Sequence, residues 1–252
     1  MQLKILSLNI WDGGKLLDGA IDFILESNAD IVFLQEVYDG KDIDLEPRFR
    51  SLEVLKSQLG YTNYDYAAEF IDNRSEGAIP QGNAIFSKFP ISYREVTFFD
   101  RPFDKHYVEK PENFPTISRN VEHVIIESPV GAINCFNFHG VWDLDGDNDS
   151  PARQNMSDML IKLVSDKGRV ILCGDTNAKP TNKSMIRLED KLLSVFGNSL
   201  DTTFNMKQKT NPGYATAAVD MLFISHDVKV VSSECPQVDI SDHLPLIATL
   251  EI

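Results

Sequence analysis

Polar side chains close one strand-like stretch after another in this chain. Asn9 ends "LKILSLN", Glu36 ends "IVFLQE", His139 ends "NCFNFH", Asp175 and Asn177 follow "VILC", Asp220 opens "DMLFIS", and Asp242 with His243 precedes the last apolar run. An aspartate after a strand is ordinarily a turn former or helix cap, so one such position carries little information. Their recurrence carries more. Carboxylates that bind a hard cation, an acceptor that orients a water and imidazoles that hold charge or move protons are together the ingredients of metal-assisted hydrolysis.

Glu36 stands in apolar company, which costs free energy unless the carboxylate is paired or binds a cation. Mg²⁺ suits it, being bound through oxygen with few protein ligands, and Mn²⁺ is the alternative. Asn9 is a second ligand or a partner of the first. In "VILCGDTNAKP" a buried strand ends in a turn that exposes Asp175, an acceptor for a water, and Asn177, an amide for that water or an oxyanion. His139, taken in isolation, reads as a satisfied histidine of the interior. "DLDGDND", Asp143 to Asp149, imitates a calcium loop, but Gly146 is misplaced and Gln154 stands where the bidentate glutamate belongs. No P-loop, GxSxG elbow or dinucleotide glycine fingerprint occurs.

The elements that must position these residues can be read from periodicity. Leu3 to Asn9 alternates as a strand, Lys15 to Ser27 has helical apolar spacing, and "ADIVFLQE" is a buried strand. Such a βαβ unit brings Asn9 and Glu36 to one sheet edge. A helix over Arg48 to Leu59, five strand-like stretches through His139, a helix over Pro151 to Ser165, the strand "RVILC", a helix near Ser184 to Leu193 and three short strands complete the chain. The two longest irregular segments are Asp39 to Pro47 and Asp100 to Ser118. The second mixes aromatics, prolines and both charge signs, as a substrate loop or a plain surface excursion would. No linker or repeat divides the chain, so one domain over 1–252 is expected, built as packed sheets covered by helices.

Composition narrows the partners. With 24 basic against 38 acidic residues and a net charge of −14, the long-range field repels a polyanion, which disfavours long duplexes. A bound divalent ion or local cation cluster can reverse that field inside one cleft. Three cysteines without CxxC spacing, and a first decad without a leader's basic and apolar regions, point to a reducing cytoplasm. No stretch is apolar enough for a membrane anchor, and a monomer is expected.

Taken together, "LSLNIW", "IVFLQEV", "GNAIFSKFPI", "NFHG", "LCGDTNAKP", "VDMLFIS" and "SDHLP" resemble the successive motifs of the endonuclease/exonuclease/phosphatase superfamily. The resemblance spans essentially the whole chain. It implies a four-layer α/β/β/α sandwich of two mixed β-sheets flanked by helices, and divalent-metal hydrolysis of phosphoesters. By the same resemblance Glu36 is the principal Mg²⁺ ligand with Asn9 beside it and Asp242 close to the metal. Asp175 and Asn177 position the attacking water or the phosphate, and His243, oriented by Asp220, contacts the scissile phosphate. His139 corresponds to the second histidine of the deoxyribonuclease, sphingomyelinase and tyrosyl-DNA phosphodiesterase branches, whereas "NFHG" departs from the abasic-site endonucleases. Thr176 stands where the family commonly has Phe. Arg119 and Asn137 are the candidates for binding substrate. The implied reaction is one in-line attack of water on phosphorus, on a small or single-stranded phosphodiester. A nuclease or repair enzyme acting on DNA ends and a catalytically silent binding module are the alternatives.

Overall fold

Strand β1 (Gln2–Asn9) is apolar on both faces, as a strand covered on both sides must be. In the computed structural model, which describes residues 1–143, 146–209 and 217–252, Leu3 and Ile5 face a second sheet while Leu6 and Leu8 face helices. Helix α1 (Leu17–Ser27) crosses from β1 to the parallel strand β2 (Ile31–Tyr38) and buries Leu17, Ile21 and Ile24 beneath it. Its C-cap Asn28 takes the left-handed conformation that ends many helices. Helix α2 (Ser51–Gln58) adds Leu52 and Leu55 to the same layer.

The first sheet is completed by β3 (Asn63–Arg74), β4 (Gly77–Ser87), β6 (Asp104–Tyr107), β12 (Lys229–Glu234) and β13 (Leu246–Glu251), in the order β12-β13-β1-β2-β4-β3-β6. The second contains β5 (Ile91–Phe98), β7 (Asn120–Ser128), β8 (Gly131–His139), β9 (Val170–Asp175), β10 (Leu193–Ser194) and β11 (Asp220–Ile224), in the order β10-β11-β9-β8-β7-β5. Between the sheets Ile5, Phe33 and Ile85 meet Val124, Cys135, Ile171 and Leu222. Helix α3 (Pro151–Val164), capped by Ser150 and followed by the single turn α4 (Lys183–Ile186), covers the outer face through Met156, Leu160 and Met185. The four layers are those expected.

Each sheet is built around one parallel pair joined by a helix: β1 with β2, and β8 with β9 across α3. Both pairs deliver their C-terminal ends to one rim of the sandwich. Two local expectations change, and a third holds. The segment Asp100 to Ser118 holds β6, which lies parallel to β3 at the sheet edge, where four residues are too few for alternation to register. The helix near Ser184 to Leu193 is α4 followed by a 3₁₀ turn, Arg187–Asp190. Within Asp143 to Asp149, residues 144–145 lie outside the described ones; Gln154 donates its amide to Asp149, the hydrogen-bonding role opposite to a calcium ligand's.

Candidate active site

At the shared rim, Asn9 pairs in register with Gln35, and His139 with Asp175. Strand β2 does not end at Glu36 but bulges there, with a register shift between Leu34 and Val37 and φ of 62° at Glu36. A left-handed non-glycine residue is costly, and such strain gathers at functional positions. The bulge breaks alternation and leaves Glu36 on the cleft wall. Its Oε1 accepts from Asn9 Nδ2 at 3.0 Å and its Oε2 from the Asp12 amide at 2.5 Å. Asn9 Nδ2 also reaches Asp175 Oδ2 at 3.1 Å, while its Oδ1 accepts from the Trp11 amide at 3.0 Å, which fixes the orientation of the carboxamide. Asn9 therefore bridges the two carboxylates through its nitrogen.

Asp175 is the hub. Its Oδ2 lies 3.4 Å from His139 Nε2 and 3.7 Å from His243 Nε2, and its Oδ1 accepts from the Asn177 amide at 2.8 Å. Burial drives its pKa up to about 6; His243 opposes that shift and Asp220 reinforces it. For His243, burial works against the charged form, but Asp220, Asp175 and Asp242 outweigh it and raise the imidazolium's pKa to about 10. The strongest of these contacts is Asp220 Oδ2 on His243 Nδ1 at 2.8 Å. Phe204 packs edge-on against the ring at 5.0 Å. His139 is the counterpart: burial, with Arg119 and His243 nearby, pushes it well below its usual value and keeps it neutral.

Not every candidate comes to this point. Arg119 lines the cleft but spends its Nη1 on Glu69 at 2.7 Å, both groups buried. Asp242 lines the cleft and pairs with Lys209 at 2.8 Å. Asn137 is fully buried between the sheets, where it accepts from Gln35 and donates to the carbonyls of Leu34 and Ala84. It sits two residues, or about 7 Å of strand, behind His139 on the same face and is not among the residues lining the cleft. Three groups escaped the sequence reading. Glu69 and Lys209 hold Arg119 and Asp242, and the Asp12 carboxylate takes Arg48 at 2.7 Å and Arg74 at 3.1 Å. An acid inside the apolar run "YAAEFI" was the available signal for Glu69.

The glycine ahead of the hub has no room for a side chain. Gly174 adopts φ of +150°, and a Cβ there would lie 1.8 Å from the Phe138 carbonyl oxygen. Gly174→Ala is expected to cost about 3 kcal/mol by forcing β8 and β9 apart. Urea melts check this, and an unchanged midpoint would show that the close approach relaxes freely.

The donor set fits a hard divalent cation. Glu36, Asp175, Asp220 and Asp242 offer oxygens, and His243 and Lys209 are the cations facing them. Asp175, Asp220 and His243 place ligand atoms within 4.8 Å of one another, yet there the imidazole proton competes with an ion. Glu36, partly exposed beside Asn9, offers carboxylate oxygens without such a competitor.

Residues 6–243 match the Endonuclease/Exonuclease/phosphatase family, and the chain belongs to it. It is a hydrolase acting on phosphoester bonds. Compared by sequence with curated proteins, the chain finds no match. Among solved structures, an endonuclease/exonuclease/phosphatase from Beutenbergia cavernae is similar with a TM-score of 0.76 at 17% identity, over 100% of this chain and 72% of that one. The mannosyl-6-phosphatase of Bacteroides thetaiotaomicron gives 0.72 at 16%, over 99% and 100%. The D. rerio TDP2 complexed with a single-strand DNA product gives 0.70 at 17%, over 100% and 99%. A phosphatase and a protein holding a DNA strand share this fold, so the fold leaves the substrate open. No helix among the described residues is long and apolar enough to cross a membrane.

Proposed function

We propose that this protein hydrolyses a small phosphoester with the aid of Mg²⁺, or Mn²⁺, by direct in-line attack of water, working as a monomeric single domain in the cytoplasm. The observation that carries this reading is Asp175, a buried carboxylate with a pKa of about 6, set between one neutral and one charged imidazole. A group titrating just below neutrality suits a general base, because it is ionised at working pH and still basic enough to take a proton from water. Asn177 shares the cleft wall, where it helps place that water. His243, charged and buried, faces the negative charge that grows on the phosphoryl oxygens. Glu36 and Asp242 would hold the cation, with Asn9 orienting Glu36 through its amide nitrogen; the ion's charge when bound neutralises phosphate oxygens. A silent binding module has no use for this arrangement of titrating groups.

The test is hydrolysis of p-nitrophenyl phosphate and bis(p-nitrophenyl) phosphate in Mg²⁺ or Mn²⁺, with and without EDTA. EDTA is expected to abolish turnover, and Glu36→Gln to raise the half-saturating Mg²⁺ concentration about 10- to 100-fold. Activity that survives chelation would sink the metal assignment. No activity in any divalent metal would favour the binding module.

A further inference from the structure

Beyond the phosphoryl centre, the cleft runs along the β3/β6 edge toward Tyr107 and Asp72. We propose that this arm binds a compact polyhydroxylated ring, so that the substrate is a sugar or cyclitol phosphate rather than a strand with several phosphates; this rests on the phosphoesterase reading above.

Charge limits the number of phosphates. Among the described residues, each lysine and arginine lining the cleft already has a carboxylate partner: Arg119 with Glu69 at 2.7 Å, Lys209 with Asp242 at 2.8 Å, Lys179 with Asp147 at 2.6 Å and Lys15 with Asp12 at 3.7 Å. Beyond the centre the wall carries Asp72 and Glu109, which take up Arg74 at 3.1 Å and 3.7 Å. A second or third phosphate would meet no free cation and several carboxylates. The volume, about 730 Å³, falls within the roughly 300–1,000 Å³ of small-molecule sites.

Hydrogen bonding selects the rest of the molecule. Asp72 and Tyr107 are register neighbours across β3 and β6. They are 1% and 4% exposed, and Asp72 Oδ1 and Tyr107 Oη have no hydrogen-bond partner. Arg119 Nε, on a side chain 7% exposed, has none either. The wall thus holds one buried acceptor, one hydroxyl and one donor awaiting partners, where native interiors leave few. A vicinal diol satisfies all three, because each hydroxyl both donates and accepts. A quaternary ammonium would serve Asp72 by charge and leave Tyr107 and Arg119 unmet. Phe114 and Trp142 meet edge to face at 5.6 Å on the cleft wall, and Phe70 lies 4.6 Å from Tyr107. These surfaces suit the C–H face of a ring whose hydroxyls point to the acids.

Both tryptophans of the chain, Trp11 and Trp142, line the cleft, so intrinsic fluorescence reads occupancy without turnover. Asp175→Asn protein with Mg²⁺ would be titrated with glucose 6-phosphate, myo-inositol 1-phosphate, phosphocholine, phenyl phosphate and a single-stranded oligonucleotide. kcat/KM would be measured in parallel on wild type. We expect glucose 6-phosphate or myo-inositol 1-phosphate to bind at least about 10-fold tighter than phenyl phosphate, with the better of the two telling sugar from cyclitol. Tyr107→Phe, which removes only an oxygen, should erase about 10-fold of that preference. A tighter oligonucleotide or phosphocholine, a ring that binds no better than phenyl phosphate, or a preference untouched by Tyr107→Phe would each overturn the subsite. Hydroxylated rings that bind with the expected preference, but no turnover of any phosphoester by wild type, would overturn the phosphoesterase reading instead.

Discussion

His243→Ala should lower kcat/KM for a phosphoester by about 10³-fold, the scale lost with one preorganised charge or donor at a developing oxyanion. Asp220→Asn should cost about 10- to 100-fold, because it removes the charge that holds the ring in place and keeps it protonated. Three carboxylates together hold the pKa of His243 near 10 against its burial, while that of Asp175 lies near 6. Rates should therefore rise as Asp175 ionises through about pH 6 and fall as the cluster loses its next proton toward pH 10. These limbs belong to the coupled cluster rather than to either residue. Asp220→Asn should shift the alkaline limb to lower pH. Profiles of wild type and Asp220→Asn that superimpose would remove the proposed coupling.

The same proton has a consequence for stability that needs no substrate. Folded His243 keeps a proton between its ordinary 6.5 and about 10, a range in which the unfolded chain has released it. The folded state thus binds more protons there, and stability must fall as pH rises across that window. The contribution is fully present below pH 6.5 and is on the order of 5 kcal/mol at most. Chemical melts of protein in EDTA at pH 6.5 and pH 9.5 should show the loss in wild type and much less of it in His243→Gln.

The elements that carry this site were legible where the chain keeps a clean period. The apolar run of β2 and the helical spacing of α1 declared a βαβ unit, and a parallel pair must present both strand ends at one edge. Asn9 follows from that rule; Asp175 stands out by its turn, and His139 only through the family resemblance. The two glutamates show where the rule stops working. Glu36 sits at the bulge of β2 against β4, and Glu69 at the bulge of β3, between Ala68 and Phe70. One extra residue swaps the faces of everything beyond it, so a period of two cannot say which way either side chain points. Glu36 was found through its cost as an acid in an apolar run, and the same signal at Glu69 passed unused. Asn137 lies off the cleft for the complementary reason. Its face was right, but only the last residue of β8 reaches the rim, and depth along a strand is set by how the two sheets stack. Lys209 lies outside the strands and helices, and its partner Asp242 is 33 residues away in sequence, so no local pattern announces the pair.

Arg119→Met should destabilise the fold by about 3–5 kcal/mol, the cost of leaving one member of a buried ion pair alone. At about 2–4 °C per kcal/mol for a chain of this size, that is a melting-point loss on the order of 10 °C. Glu69 is fully buried beneath His139 at 3.8 Å and takes the Arg119 guanidinium at 2.7 Å and the Asn120 amide at 3.3 Å. Burial raises its pKa to about 7 even with Arg119 opposing, so without the arginine the carboxyl should stay protonated to higher pH. Adding Glu69→Gln should return most of the stability, since the double variant buries no charge at the pair. Activity should stay low, because His139 loses the neighbours that set its protonation and orientation. The pH dependence separates this pair from His243. Folded Glu69 retains a proton from its ordinary 4.5 up to about 7, so its contribution to stability falls as pH rises across that window. Folded His139 stays neutral below its ordinary 6.5 while the unfolded chain takes up a proton, so its contribution falls as pH drops. The two slopes oppose each other between about pH 4.5 and 6.5, where Asp175, raised to about 6, adds to the side of Glu69. Glu69→Gln removes its slope alone, so the stability of wild type relative to that variant should fall as pH rises from about 4.5 to 7. Profiles that run parallel in the two proteins, or a loss under 1 kcal/mol in Arg119→Met, would mean that the pair is solvated and holds His139 by packing alone.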